Sequence, residues 1–333
     1  MEPPASFGPY YASEVGAIDG AVERALHEGS NPRLLEAMRH YPLAKGKRLR
    51  PFTAMTVARA IGGEVISAQA RPYAVALELI HNFTLVHDDI MDGDLVRKGL
   101  PAVHAKWDEA TAINAGDALH ARAFELIADL QIPEQGLRTL VRETAAMVRQ
   151  IGEGQQFDVE FERRRDVTEA EYLHMIEYKT ALMYKMAARG GTIIGGGSDK
   201  QIEALTSWGN TLGVGFQIRD DVLNLTADPT KFQKEIGADV RGAKQTIIAI
   251  AARDRMDVGQ QASFDRAFGN AKATPSQIHD AIAVLQQCGA IEYAQQKARK
   301  CVADAHALLS VVPEGPHKEH LHHLVRLFVE RTH

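Results

Sequence analysis

The chain has 333 residues, 45% of them hydrophobic and 24% charged, so it can bury a large core at the upper edge of single-domain size. A formal net charge of −5 argues against a nucleic-acid partner, because binders of the phosphate backbone carry a basic excess. Its two cysteines, Cys288 and Cys301, have neither CxxC nor metal-ligand spacing, which argues against a disulfide framework or a zinc site and fits a reducing compartment.

At the N-terminus, MEPPASFGPYYASEV lacks a basic stretch followed by an apolar core, and no run of about 18 apolar residues occurs anywhere. The expectation is a cytoplasmic protein without a transmembrane segment, with residues 1–10 a flexible lead into one domain spanning 1–333. Apolar residues recur at helical spacing through long segments rich in Ala, Leu, Glu and Arg, while alternating runs are scarce, so the fold class is all-α. Helix starts are expected at Asn31 before Pro32, at the boxes Thr168-x-x-Glu171 and Ser198-x-x-Gln201, and at Thr274 before Pro275. One long helix should run from about 66 to about 92 and end at Gly93; another, from about 199 to about 225, should end near Asp228-Pro229. The glycine-rich stretch from Gly190 to Gly197 lacks the GK[ST] ending of a phosphate loop and a strand context, so it reads as a helix interruption or close helix packing. His317, His320, His322 and His323 read as a solvated face.

Both long helices end in acidic clusters, Asp88-Asp89-Ile90-Met91-Asp92 and Asp220-Asp221-Val222-Leu223-Asn224. Residues four apart share a helix face, so Asp88 pairs with Asp92, and Asp220 with Asn224. A helix C-terminus carries partial negative charge and repels clustered carboxylates unless cations are present. Mg2+ suits such pairs, because it takes one or two carboxylates and completes its octahedron with water and phosphate oxygens. Diphosphate chemistry also needs cationic donors. Candidates are Lys47, Arg48 and Arg50 in GKRLRP, Arg97 and Lys98, Lys179 beside Thr180, and Lys234 and Lys244.

The succession GKRLRP, ELIHNFTLVHDDIMD, RKG, GEGQQFD, YKTA, FQIRDDVLN and KEIGADVRGAKQT resembles the trans-isoprenyl diphosphate synthases, the polyprenyl synthetase family, from about residue 10 to the C-terminus. It is most similar to the short-chain geranylgeranyl and farnesyl types. The resemblance implies a bundle of about ten or more helices around a central cavity, usually as a homodimer. It implies elongation of an allylic diphosphate of C5 to C15 by isopentenyl diphosphate, to a C20 product, with C15 and C25 as alternatives. Asp88, Asp92 and Asp220 would bind about three Mg2+ ions, with Asp89 and Asp221 in support. Arg97, Lys179, Thr180, Gln217, Lys234 and Lys244 would hold the allylic diphosphate, and Lys47, Arg50, His81 and Lys98 isopentenyl diphosphate. Gln155 and Asp158 would orient the site, while Phe83 and Thr84, one turn before Asp88, would set product length.

Two positions depart from the family pattern. Asn224 replaces an aspartate, keeping an oxygen but losing a charge, and Lys98 replaces an arginine, losing bidentate geometry. Three rival readings account for fewer of these residues. A di-iron helical bundle would use Glu78-x-x-His81 and Glu171-x-x-His174 but leaves the aspartate motifs and cations unexplained. A terpene cyclase needs no second diphosphate site. A non-catalytic synthase subunit typically lacks a whole aspartate motif.

Overall fold

Helical periodicity becomes helix nearly everywhere in the computed structural model, which describes residues 7–44, 46–227 and 236–329. The elements are α1 (Phe7–Ala25), α2 (Pro32–Arg39), α3 (Leu49–Gly62), α4 (Ser67–Asp92), β1 (Val96–Arg97), β2 (Leu100–Pro101), α5 (Val103–Lys106), α6 (Glu109–Ala128), α7 (Glu134–Phe161) and α8 (Glu169–Ile176). After a π-helical turn at Glu177–Ala181 come α9 (Leu182–Ile194), α10 (Asp199–Thr226), α11 (Ala238–Arg241), α12 (Ile247–Arg253), α13 (Val258–Asp265), α14 (Pro275–Gln287), α15 (Ala290–Leu308) and α16 (Pro316–Val329). The all-α expectation holds, and both long acidic helices lie where the sequence put them. The Asp228-Pro229 stop falls outside the described residues.

Two compact units emerge. The first gathers the chain up to Val148 with Met183–Gly209 and Leu309–His323; the second comprises Arg149–Leu182, Asn210–Leu308 and the chain from Leu324.

In the first unit α4 is apolar on nearly every side: Tyr73, Leu77, Leu79, Ile80 and Val86 are all buried. A helix hydrophobic all round belongs at the centre of a unit, and α3 and α6 pack against it. Each of those aliphatic side chains contributes about 2 kcal/mol of burial. The glycine-rich stretch is explained by close packing. A Cβ at Gly191 would lie 2.5 Å from the Ala54 carbonyl oxygen, and one at Gly195 would lie 2.9 Å from that of Ala58, so α9 and α3 meet backbone to backbone.

The C-terminal histidines are not a solvated face. His320 is only 4% exposed and its ring stacks on Tyr10 of α1 at 4.2 Å, with Phe7 and His317 against its edges. Aromatic residues on α1 give these imidazoles an apolar surface to cover. Burial, then His317 and His323, lower the His320 pKa. The same contacts make the chain helical from Phe7 onward, inside the segment expected to be flexible.

In the second unit the predicted caps are present. Thr168 and Glu171 exchange backbone and side-chain hydrogen bonds at the start of α8, as do Thr274 and Gln277 at α14, with Pro275 following. Asp257 and Gln260 form a further box at α13. In the first unit, Ser198 and Gln201 pair reciprocally ahead of α10.

Candidate active site

The last turn of α4 separates its three aspartates by burial. Asp88 is half-buried and Asp92 exposed, whereas Asp89 has no solvent exposure. Asp89 accepts hydrogen bonds from the Tyr41 phenol and the Arg97 guanidinium. Gly93 then stops the helix at φ 68°, donating to the carbonyls of Asp89 and Ile90.

The chain next forms an unforeseen hairpin, β1–β2, in which Val96 pairs with Pro101 and Arg97 with Leu100. Lys98 and Gly99 occupy its turn with φ of 51° and 78°, the two positive values a two-residue type I′ turn requires. The sequence carries no Asn-Gly or Asp-Gly signal there. The turn returns Arg97 to Asp89 and leaves Lys98 among like charges. Burial, together with Arg50, Arg97 and Arg48, lowers the Lys98 pKa although Glu78 opposes them.

Arg50 and His81 belong to the same cluster, with Nη1 of the arginine 3.1 Å from Nε2 of the imidazole. Burial first, then Arg50, Lys98, Arg97 and Arg48, push the His81 pKa far down, so the ring is neutral and accepts from Arg50. The buried Nε of Arg50 finds no acceptor among the described residues. Concentrated positive charge with an unused buried donor suits an anion.

Arg48 differs from its neighbours. Its guanidinium reaches Asp19 at 2.7 Å, Glu78 at 2.6 Å and the carbonyls of Pro42 and Ala44 at 2.6 and 2.9 Å. It is a structural clamp that fixes the GKRLRP turn, leaving Lys47 and Arg50 as that motif's candidates for substrate. The Lys47 carbonyl accepts from the Tyr11 phenol.

Phe83 lies against His87 and His120, ring centroids 5.3 and 5.2 Å away, and Thr84 bonds back to the His81 carbonyl at 2.8 Å. All these residues belong to the first unit.

In the second unit α10 carries Asp220, half-buried, with Asp221 and Asn224 both buried. Asp221 accepts from the Tyr172 phenol at 2.5 Å and from Nε2 of Gln217 at 3.0 Å; Thr180 in turn donates to Gln217 at 2.9 Å. Burial, then the nearby Asp239, push the Asp221 carboxyl well above its ordinary value despite those bonds. Such a concentration of negative charge is relieved by a cation. The Asn224 side-chain oxygen accepts from the Asp239 backbone N–H at 3.2 Å, so it serves the start of α11.

Lys179 and Lys244 converge on one buried carboxylate, Asp158, at 2.7 and 2.9 Å, and Lys244 also meets Glu162 at 2.7 Å. Burial opposes the Asp158 charge, but the two lysines outweigh it and lower its pKa. Nearby in sequence, Gln155 is 6% exposed, and neither amide atom has a hydrogen-bond partner among the described residues. Lys179 and Thr180 ride on the π turn, a distortion that recurs at functional sites. Glycines let neighbouring helices approach it: a Cβ at Gly154 would lie 2.5 Å from the Lys179 nitrogen, and one at Gly213 would lie 2.5 Å from the Ala181 Cα. Lys234 lies outside the described residues.

Among the described residues no three His, Cys, Asp or Glu side chains converge on one cation position. Mg2+ needs only one or two carboxylates, with substrate and water oxygens supplying the rest. The glutamates of the two ExxH pairs are committed elsewhere. Glu78 is engaged by Arg48 and Asn82, and Glu171 by its capping box and Arg164. Tyr41 and Tyr172 escaped the sequence analysis, since nothing local marks a tyrosine that meets an aspartate nearly fifty positions away.

Residues 31–285 match the polyprenyl synthetase family. A Methanosarcina mazei protein named geranylgeranyl diphosphate synthase is 38% identical over 317 residues, covering 94% of each chain. A Natronomonas pharaonis geranylfarnesyl diphosphate synthase is 37% identical over 330 residues, covering 95% of each. The crystal structure of geranylgeranyl pyrophosphate synthetase from Pyrococcus horikoshii superposes with a TM-score of 0.91 at 38% identity, covering 98% of both chains.

Proposed function

Because the chain belongs to the polyprenyl synthetase family and is a trans-prenyltransferase of that family, we propose that it condenses isopentenyl diphosphate with an allylic diphosphate to give a C20 product. The observation that carries this reading is the existence of two separate cationic sets. One is Arg50 and Lys98 around neutral His81; the other is Lys179 and Lys244 around Asp158. Elongation needs two diphosphates held at once, whereas a cyclase needs one.

In this reading Arg50, His81, Lys98 and Lys47 bind isopentenyl diphosphate, with the unused Arg50 Nε as one donor. Arg97, Lys179, Thr180, Gln217, Lys244 and Lys234 bind the allylic diphosphate. Asp88, Asp92 and Asp220 would hold about three Mg2+ ions, whose charge would offset that on the departing pyrophosphate. The lysines and Arg97 stabilise the same developing charge through fixed hydrogen bonds, which lowers the barrier to breaking the allylic C–O bond. The isopentenyl double bond then forms the new C–C bond with the allylic cation, and a proton leaves to the released pyrophosphate. No protein nucleophile takes part.

Phe83, braced by His87 and His120, supports a cavity floor suited to C20. The geranylfarnesyl name of one relative keeps C25 as the nearest alternative. The same reading takes the protein as a cytoplasmic homodimer; among the described residues no helix is long and apolar enough to cross a membrane.

The test is incubation of purified protein with Mg2+, isopentenyl diphosphate and C5, C10 or C15 allylic starters, followed by product sizing. Asp88→Ala and Asp220→Ala should each abolish turnover. Near wild-type rates in either variant would remove that carboxylate from the proposed metal set.

A further inference from the structure

The two aspartate motifs share an arrangement that their sequences do not advertise. In each, the second aspartate is buried and its two oxygens are divided between a phenol and a side chain expected to bind diphosphate. Asp89 takes Tyr41 on Oδ2 and Arg97 on Oδ1. Asp221 takes Tyr172 on Oδ2 and Gln217 on Oδ1, and Gln217 continues to Thr180. We infer that Tyr41 and Tyr172 are positioning residues: each phenol holds the buried aspartate of its motif so that the other carboxylate oxygen aims a diphosphate-binding side chain, Arg97 in one unit and Gln217 in the other.

A buried carboxylate oxygen left without a donor is unfavourable, so its orientation follows whichever donors are fixed. Both phenols are fixed by packing. The Tyr41 ring sits in an apolar cluster with Ala37, Val86, Val103, Ala112 and Ala115, and Tyr172 is buried almost completely. Without the phenol the carboxylate can turn about its χ angles, and the side chain on its other oxygen turns with it. The aspartate is also one residue from a metal-ligand candidate, Asp88 or Asp220, on the same helical turn. Loss of the phenol should therefore weaken Mg2+ and allylic diphosphate together while leaving the rings' packing intact. Isopentenyl diphosphate, assigned to Lys47, Arg50, His81 and Lys98, should be spared.

This inference rests on the site assignments proposed above. Tyr41→Phe and Tyr172→Phe keep the ring and remove only the hydroxyl. Each should raise the KM for the allylic diphosphate and the half-saturating Mg2+ concentration about tenfold. The KM for isopentenyl diphosphate should stay within about twofold, and the Tm within a few degrees. The Tyr41→Phe/Asp89→Asn double variant should be no worse than Asp89→Asn alone, because the phenol acts through that carboxylate. Unchanged allylic KM and Mg2+ dependence in both Tyr→Phe variants would overturn the inference, as would a loss that tracks only a fall in Tm. Asp88→Ala in the same assay separates the two levels: if it is inactive while Tyr→Phe is silent, only the inference fails. If the wild-type protein makes no prenyl product, calorimetric binding of pyrophosphate with Mg2+ decides. The inference then requires about tenfold weaker binding in each Tyr→Phe variant and fails if affinity is equal.

Discussion

Gly154→Ala tests whether the π turn is held in place by close helix packing. The added Cβ would lie 2.5 Å from the Lys179 backbone nitrogen, 2.8 Å from the Tyr178 carbonyl carbon and 2.9 Å from the Tyr178 Cβ. Ordinary contact begins near 3.4 Å, so the segment carrying Lys179 and Thr180 must retreat by about 1 Å. No rotamer change relieves the clash, because two of the three atoms are backbone. The same segment also packs closely on Gly213, where a Cβ would lie 2.5 Å from the Ala181 Cα. Overpacking of this kind costs about 1–3 kcal/mol, which corresponds to a fall of several degrees in Tm. Misplacing a charge-stabilising lysine by about 1 Å is expected to lower kcat/KM for the allylic substrate about 10- to 100-fold. Thermal unfolding and steady-state kinetics on the same preparation measure both. An alanine variant with wild-type Tm and wild-type kcat/KM would refute the argument that this glycine sets the position of Lys179.

Phe83→Ala removes the ring lying between His87 and His120, at a cost of about 2 kcal/mol for a half-buried aromatic. Products should lengthen by one or more C5 units, and an unchanged product distribution takes Phe83 out of the length-setting role. Stability should also depend on pH. Burial lowers the pKa values of His40, His81, His120 and His320 below 6.5, so the unfolded chain binds more protons than the folded one as pH falls through 6.5. The stability these rings contribute is complete above about pH 6.5 and is lost progressively as pH drops towards their folded values. Tm measured from about pH 7.5 to about pH 5 should decline, and His320→Phe should flatten the decline; an identical slope in that variant would show that His320 takes no part.

The helices and their starts were legible because periodicity and capping act over a few residues, and α2, α8, α10 and α14 begin where local chemistry says they should. The hairpin at Arg97 was not legible, because a two-residue turn with Lys98 at positive φ lacks the usual Asn-Gly marking. The histidines of α16 were misread for a different reason. Polar composition suggests solvent, yet the deciding partners, Phe7 and Tyr10, lie some three hundred positions earlier. Charge alone does not separate Arg48 from Lys47 and Arg50; Asp19 and Glu78 around Arg48 do. Among neighbouring basic residues, burial and partner identity decide between clamp and ligand, and both are tertiary properties.

Within the aspartate motifs the same distinction follows from helix geometry. Residues four apart share a face, so Asp88 and Asp92 emerge together, while Asp89 is turned by about 100°. On a helix as apolar as α4 that rotation leads into the core, where a carboxylate persists only with donors on both oxygens; Tyr41 and Arg97 are those donors. In α10 the rotation is the same, but the fourth position after Asp220 is also buried. There Asn224 accepts the Asp239 N–H, a bond an aspartate could equally accept. An aspartate would add negative charge beside Asp221, whose carboxyl is already pushed upward by burial and by Asp239. The neutral amide keeps the hydrogen bond without that repulsion, which explains how the motif tolerates the departure at Asn224 while keeping Asp220 as the half-buried carboxylate.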